Sequence, residues 1–105
     1  AVFANNDDMA LGAIEALKAQ GYFTGDKYVP VMGVDATEVG KEAIKDGTML
    51  ATSLNDAKNQ AYATVELAAL LGEGKDLSEY SYTITDEKYI WIPYVAVDAS
   101  NVDEF

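Results

Sequence analysis

Apolar and polar positions along the chain alternate between the periods of strand and helix. Val2-Phe3-Ala4 is a short apolar run that stops at Asn5-Asn6-Asp7-Asp8. From Met9 onward Ala10, Ala13, Ile14 and Leu17 recur at helical spacing, with Glu15 and Lys18 on the opposite face. Asp7 or Asp8 is the expected N-cap of that helix and Gly21 its stop. Tyr22 to Lys27 reads as a loop, with Gly25-Asp26 as its turn. Pro30-Val31-Met32-Gly33-Val34 is a continuous apolar strand ending at Asp35. The next helix should turn Val39, Ala43 and Ile44 inward and Glu38, Lys41, Glu42 and Lys45 outward, and end at Gly47. Met49 to Leu54 forms a third strand ending at Asn55-Asp56. A long helix follows from Ala57 to Leu71, with the stripe Ala57, Ala61, Val65, Ala68 and Leu71. Beyond Leu77, Tyr80, Tyr82, Ile84, Tyr89 and Trp91 alternate with polar residues around Asp86-Glu87, which predicts a β-ribbon. Trp91 to Val95 then leads into a tail, where Asn101 to Phe105 form a final turn of helix.

Three strand–helix repeats in succession predict an α/β fold with a parallel sheet and crossover helices. Parallel sheets are normally covered on both faces, so their strands read as near-continuous apolar runs, as these do. In such sheets ligands bind beyond the carboxyl ends of the strands. Each strand here ends in a side chain suited to hydroxyl recognition: Asn6 beside Asn5, then Asp35, then Asn55 beside Asp56. A carboxamide offers two donors and an acceptor, and a carboxylate accepts from two hydroxyls at once. Asn and Asp are also the commonest helix caps, so capping alone accounts for any one of these positions. Three in register at one end of a sheet point further, to a cleft for a polar, hydroxylated ligand.

Composition narrows the chemistry. The 105 residues carry 18 Asp and Glu against 7 Lys, with no Arg, His or Cys, for a formal charge of −11. Nucleic acid and anionic lipid surfaces are excluded as partners by that balance. A Ser-His triad, a thiol nucleophile and a structural zinc site are excluded by residue type. No glycine-rich loop follows any strand, which argues against a phosphate ligand. Hydrophobic content of 50% is far above that of a disordered acidic tail, and no apolar run is long enough to span a membrane. Asp7-Asp8 and Asp56 lack the spacing of a calcium loop, and capping explains them more simply than paired-carboxylate hydrolysis. Trp91 and the nearby tyrosines could stack on a sugar ring, but alternation on a ribbon fits half-buried packing better. A strand with no lead-in at Ala1 suggests a segment of a longer protein.

Read together, the segments resemble the carboxyl-terminal third of the periplasmic galactose/glucose-binding proteins, substrate-binding components of ABC-type sugar uptake systems within the ribose-binding-protein-like family. The stretches that carry this are Ala4-Asn5-Asn6-Asp7-Asp8-Met9-Ala10-Leu11-Gly12, Pro30-Val31-Met32-Gly33-Val34-Asp35-Ala36, Leu54-Asn55-Asp56-Ala57 with Asn59-Gln60-Ala61, and Ile92-Pro93-Tyr94-Val95 with Val97-Asp98 and Asn101. The resemblance implies part of a type I periplasmic-binding-protein lobe, with three βα units and a C-terminal β-ribbon. It implies that residues 1–55 belong to the C-terminal sugar-binding lobe, 56–92 to the N-terminal lobe, and 93–105 to the return crossover and tail. Carried over position by position, the family's hydroxyl-binding residues fall on Asn6, Asp35 and Asn55.

The same resemblance implies a non-enzymatic hexose receptor outside the cytoplasm, in a periplasm or on a surface lipoprotein, whose partners are permease subunits and a chemoreceptor. The family's calcium site would lie upstream of residue 1, so no cofactor is expected in this segment. A LacI-type regulator is the alternative, although those usually carry a Phe-Asp pair where this chain has Val34-Asp35. A carbohydrate-active enzyme using Asp35 with Asp7 or Asp56 is a third reading. Alone, the segment should bind sugar weakly, and its unpaired strand edges should drive self-association.

Overall fold

The computed structural model describes residues 1–105, which separate into two compact units: Ala1–Asn55 with Tyr94–Phe105, and Asp56–Pro93. The first unit is built on a four-stranded sheet in the order β1-β2-β3-β4, comprising Val2–Phe3, Val31–Met32, Ala51–Leu54 and Val95–Asp98. β1, β2 and β3 run parallel, and β4 closes the sheet antiparallel to β3, with Leu54 opposite Val95. Helix α1, Asp7–Ala19, links β1 to β2, and α2, Glu38–Lys45, links β2 to β3. Ladder hydrogen bonds run past the short strands: Ala4 N–H donates to Met32 O at 2.9 Å, and Gly33 N–H to Ala51 O at 3.1 Å.

Helical periodicity buries Ala10 and Ile14 of α1, and Ala43 and Ile44 of α2, against Val31, Met49, Val97 and Val102. Covering about 100 Å² of apolar surface per large side chain contributes roughly 2 kcal/mol each, which makes this cluster the main support of the sheet. Only one strand face is sealed in this way. Val2 is half-buried, whereas Phe3, which points to the other face, is 78% exposed. The expectation of strands covered on both faces is therefore not met within this unit.

Three details of the helices differ from the periodicity. Asn6, rather than Asp7 or Asp8, caps α1, its Oδ1 accepting from Met9 N–H at 2.9 Å. In α2, Val39 is exposed while Lys41 is buried. The Lys41 ammonium pairs with the Glu38 carboxylate at 2.7 Å and donates to the Phe105 carbonyl at 2.9 Å.

The second unit packs α3, Ala57–Gly72, against the segment that follows it. Ala63, Leu70 and Tyr80 are its buried core, flanked by Leu67, Tyr82, Ile84, Ile90 and Ile92. The predicted stripe of Ala57, Ala61, Val65, Ala68 and Leu71 is instead the exposed side of this helix. The ribbon is also absent. A 3-10 turn at Leu77–Glu79 leads to one isolated bridge, Thr85 with Tyr89, closed by Asp86 and Glu87 at φ 52° and 57°. Tyr80 turns toward the helix, and its hydroxyl donates to Ala63 O at 2.9 Å. Packing of Tyr80 and Tyr82 thus follows expectation, while Tyr89 and Trp91 stack on each other at 5.6 Å and remain exposed.

Candidate functional site

Parallel pairing of β1, β2 and β3 brings their carboxyl ends to one end of the sheet, and the connecting hydrogen bonds are present. Asp7 N–H donates to Val34 O at 2.8 Å, joining the residue after Asn6 to the residue before Asp35. Asp35 N–H donates to Ser53 O at 2.8 Å, joining it to the end of β3 just before Asn55. The three residues picked out by sequence therefore share this end of the first unit.

Their side chains differ in how they are occupied. The Asn6 Oδ1 is committed to its cap, while its Nδ2 donors make no hydrogen bond within the chain. Asn55 is half-buried at the last position of the unit, immediately before Asp56, the cap of α3. Asp35 is half-buried, and its carboxylate accepts no hydrogen bond within the chain.

Asp35 also has φ 109°, and Ala36 has φ 54°. Two successive non-glycine residues in the left-handed region cost on the order of 1–3 kcal/mol each and persist only where surrounding structure dictates them. The backbone here is clamped at every step. Asp35 N–H is held by Ser53 O, Ala36 N–H by Thr52 Oγ1 at 3.3 Å, and Thr37 N–H by Asp7 Oδ2 at 2.7 Å.

Asp7 is the residue that sequence reasoning placed in the wrong role. It is fully buried, and three donors converge on it: Thr37 N–H and Thr37 Oγ1 on Oδ2, and Thr52 Oγ1 on Oδ1 at 2.6 Å. Every buried side-chain polar atom of the chain has a partner, and no lysine pairs with Asp7. In place of a cation, it sits at the first turn of α1 and holds the cap residue of α2, where two helix N-termini favour negative charge. Gly33 and Gly40 make room for it; a Cβ at either would collide with a carboxylate oxygen. A glycine inside a strand and another in the first turn of a helix were the available signals of a close approach.

The remaining carboxylates of interest are also committed. Asp56 accepts from Asn59 N–H at 2.9 Å and from Asn59 Nδ2 at 2.6 Å, and these bonds hold its carboxyl below the usual carboxylate value. With Asp7 sealed and Asp56 capping, the acid pair that hydrolysis requires is missing from Asp7, Asp35 and Asp56. No cluster of three His, Cys, Asp or Glu side chains suits a metal ion. The end of the sheet offers a hydroxylated ligand one free carboxylate acceptor at Asp35 and carboxamide donors at Asn6.

Comparison with known proteins agrees with this fold. Residues 1–76 match the periplasmic binding protein domain family. The chain is 40% identical over 104 residues to the D-galactose/methyl-galactoside binding periplasmic protein of Haemophilus influenzae, covering 99% of this chain and 30% of that one. It is 39% identical over 102 residues to the xylitol-binding protein of Mycolicibacterium smegmatis, covering 97% of this chain and 26% of that one. Among solved structures it superposes on an ABC transporter solute binding protein of Bacillus halodurans with bound myo-inositol. The TM-score is 0.77 at 40% identity, covering 98% of this chain and 31% of that one. The chain thus spans about a third or less of the length of these relatives. The type I α/β arrangement and the match across most of its length show that the chain belongs to the periplasmic binding protein family.

Proposed function

We propose that the carboxyl end of the parallel strands binds a monosaccharide, a glucose- or galactose-like hexose, through Asn6, Asp35 and Asn55. In this reading the chain is part of an extracytoplasmic solute receptor that delivers sugar to ABC permease subunits, without catalysis. The observation that carries it is Asp35, a half-buried carboxylate on strained backbone at the strand end with no hydrogen bond from its own chain. Vicinal hydroxyls complete such an acceptor, and the carboxamides beside it supply the reciprocal donors. The names of the relatives, which bind galactosides, xylitol and myo-inositol, agree with a polyhydroxylated ligand. The unit boundaries at Asn55-Asp56 and Pro93-Tyr94 are the proposed hinge crossings of a receptor that closes on its ligand.

Three residues supply about four to six hydrogen bonds of roughly 1 kcal/mol each, against an association cost of at least about 4 kcal/mol, so the net gain is at most about 2 kcal/mol and the chain by itself should bind sugar with a Kd of tens of millimolar or weaker. Heteronuclear NMR titration with galactose, glucose, ribose, xylitol and myo-inositol reads affinities in that range. The expected result is shift changes confined to the amides around Asn6, Asp35 and Asn55, abolished by Asp35→Ala. Shifts elsewhere, or shifts that survive Asp35→Ala, would overturn the assignment.

A further inference from the structure

We propose that Asp7 is a positioning residue for this site: acting through Thr37 and Thr52, its buried carboxylate holds Asp35 and Ala36 in the left-handed backbone region and so sets where the Asp35 carboxylate meets its ligand. The inference rests on the ligand-binding reading of the strand ends, but its structural half stands without it.

The argument is one of hydrogen-bond direction. A carboxylate only accepts, so the Thr52 hydroxyl beside Oδ1 must donate to it. That fixes the hydroxyl proton and turns an oxygen lone pair toward Ala36 N–H, which donates to Thr52 Oγ1. The Thr37 hydroxyl is set in the same way. It donates to Asp7 Oδ2 and accepts from Gly40 N–H at 3.1 Å, closing the first turn of α2. Thr37 N–H donates directly to Asp7 Oδ2. One buried carboxylate thereby dictates the polarity of two hydroxyls and anchors the amides on the C-terminal side of Asp35. Asp35 and Ala36 lie between these clamps and the Ser53 carbonyl. A carboxamide at position 7 keeps the volume but turns one of the two oxygens into an NH2 donor; with the amide oxygen kept on Thr37 N–H and Oγ1, the NH2 faces the Thr52 hydroxyl, which must turn its proton away from position 7, and the lone-pair geometry that clamps Ala36 N–H is disturbed.

The test is NMR on the 105-residue chain carrying Asp7→Asn, with Thr52→Val as a second variant that removes only one arm of the clamp. A strong intraresidue amide–Hα contact marks positive φ at Asp35 and Ala36, and the methyl signals of Val31, Ile44 and Val97 report the sheet. The expected result is an intact sheet in which those two contacts weaken and the amides of Ala36 and Thr37 lose exchange protection. Sugar affinity should fall about tenfold in the same variants, as a strained binding conformer loses population. Unchanged contacts and protection in a folded Thr52→Val or Asp7→Asn chain would overturn the proposal. If the wild-type chain shows no sugar shifts, the ligand reading fails, and the backbone contacts still decide the role of Asp7.

Discussion

Gly12 and Gly40 both lie within helices, yet the same substitution should move stability in opposite directions. Gly12 is in the middle of α1, and nothing lies within 4 Å of the position a Cβ would take. Gly12→Ala should therefore yield only the helix-propensity gain of about 0.5–1 kcal/mol, from the reduced freedom of the unfolded chain. Gly40 is the third residue of α2, and its Cβ would meet Oδ2 and Cγ of Asp7. Those atoms cannot yield freely, since Oδ2 is held by Thr37 N–H and Oγ1, and Oδ1 by Thr52. Overpacking costs about 1–3 kcal/mol, and weakening a hydrogen bond to a buried charge adds about 1.5–3 kcal/mol. Subtracting the propensity gain leaves Gly40→Ala destabilised by about 2–5 kcal/mol. Urea unfolding followed by far-ultraviolet circular dichroism measures both, with an unchanged m-value as evidence that the denatured state is unaltered. At about 4–8 °C per kcal/mol, the two melting temperatures should diverge by well over 10 °C. A Gly40→Ala chain as stable as Gly12→Ala would refute the account of Asp7 as a tightly held buried group.

Two further outcomes separate roles that coincide in one side chain. Asn6→Ala should lose both the cap of α1, about 1 kcal/mol, and the amide donors, whereas Asn6→Asp should restore the cap and leave sugar binding impaired; calorimetric melts and NMR titration read the two effects independently. Burial first, and the Glu66 carboxylate second, push the Tyr80 phenol above its ordinary value of 10.0. Its contribution to the Asp56–Pro93 unit is thus complete below about pH 10 and lost as pH rises through the higher folded value. Tyr80→Phe should flatten that alkaline decline, read by tyrosinate absorbance against circular dichroism, while costing about 1 kcal/mol at neutral pH for the lost bond to Ala63 O.

Strand–helix alternation and the side chains at the strand ends were legible because each depends on local pattern: period, cap and turn. Glu42, Ala43 and Ile44 fall where helical spacing puts them. Lys41 does not, since it is held by the Phe105 carbonyl, a contact spanning 64 positions that periodicity cannot see. The stripe on α3 failed for a related reason. Alanine is common on both faces of that helix, so Ala57, Ala61 and Ala68 could not be told from Ala63 until Tyr80 chose its side. The β-ribbon failed because alternation of aromatics was its only support, and a pair of positive-φ residues at Asp86-Glu87 reverses the chain after one bridge.

Asn6, Asp7 and Asp8 show how far three adjacent, chemically similar residues can be driven apart. Each step along a helix turns a side chain by about 100°, so consecutive residues at a helix start cannot share a destination. Asn6 stands outside the first turn, where only a side-chain oxygen can meet Met9 N–H, and its amide nitrogen is left pointing away from the cap. Asp7 is carried beneath the sheet end, where Gly33 and Gly40 leave a space the size of a carboxylate and two threonines supply the donors. Asp8 is carried out to water, next to the same positive helix end. Moving the cap by one residue would place Asp8 in the glycine-lined space and detach Thr37 and Thr52 from their anchor. Placement of the Asp35 carboxylate, 28 positions beyond Asp7, therefore depends on which residue begins the first helix.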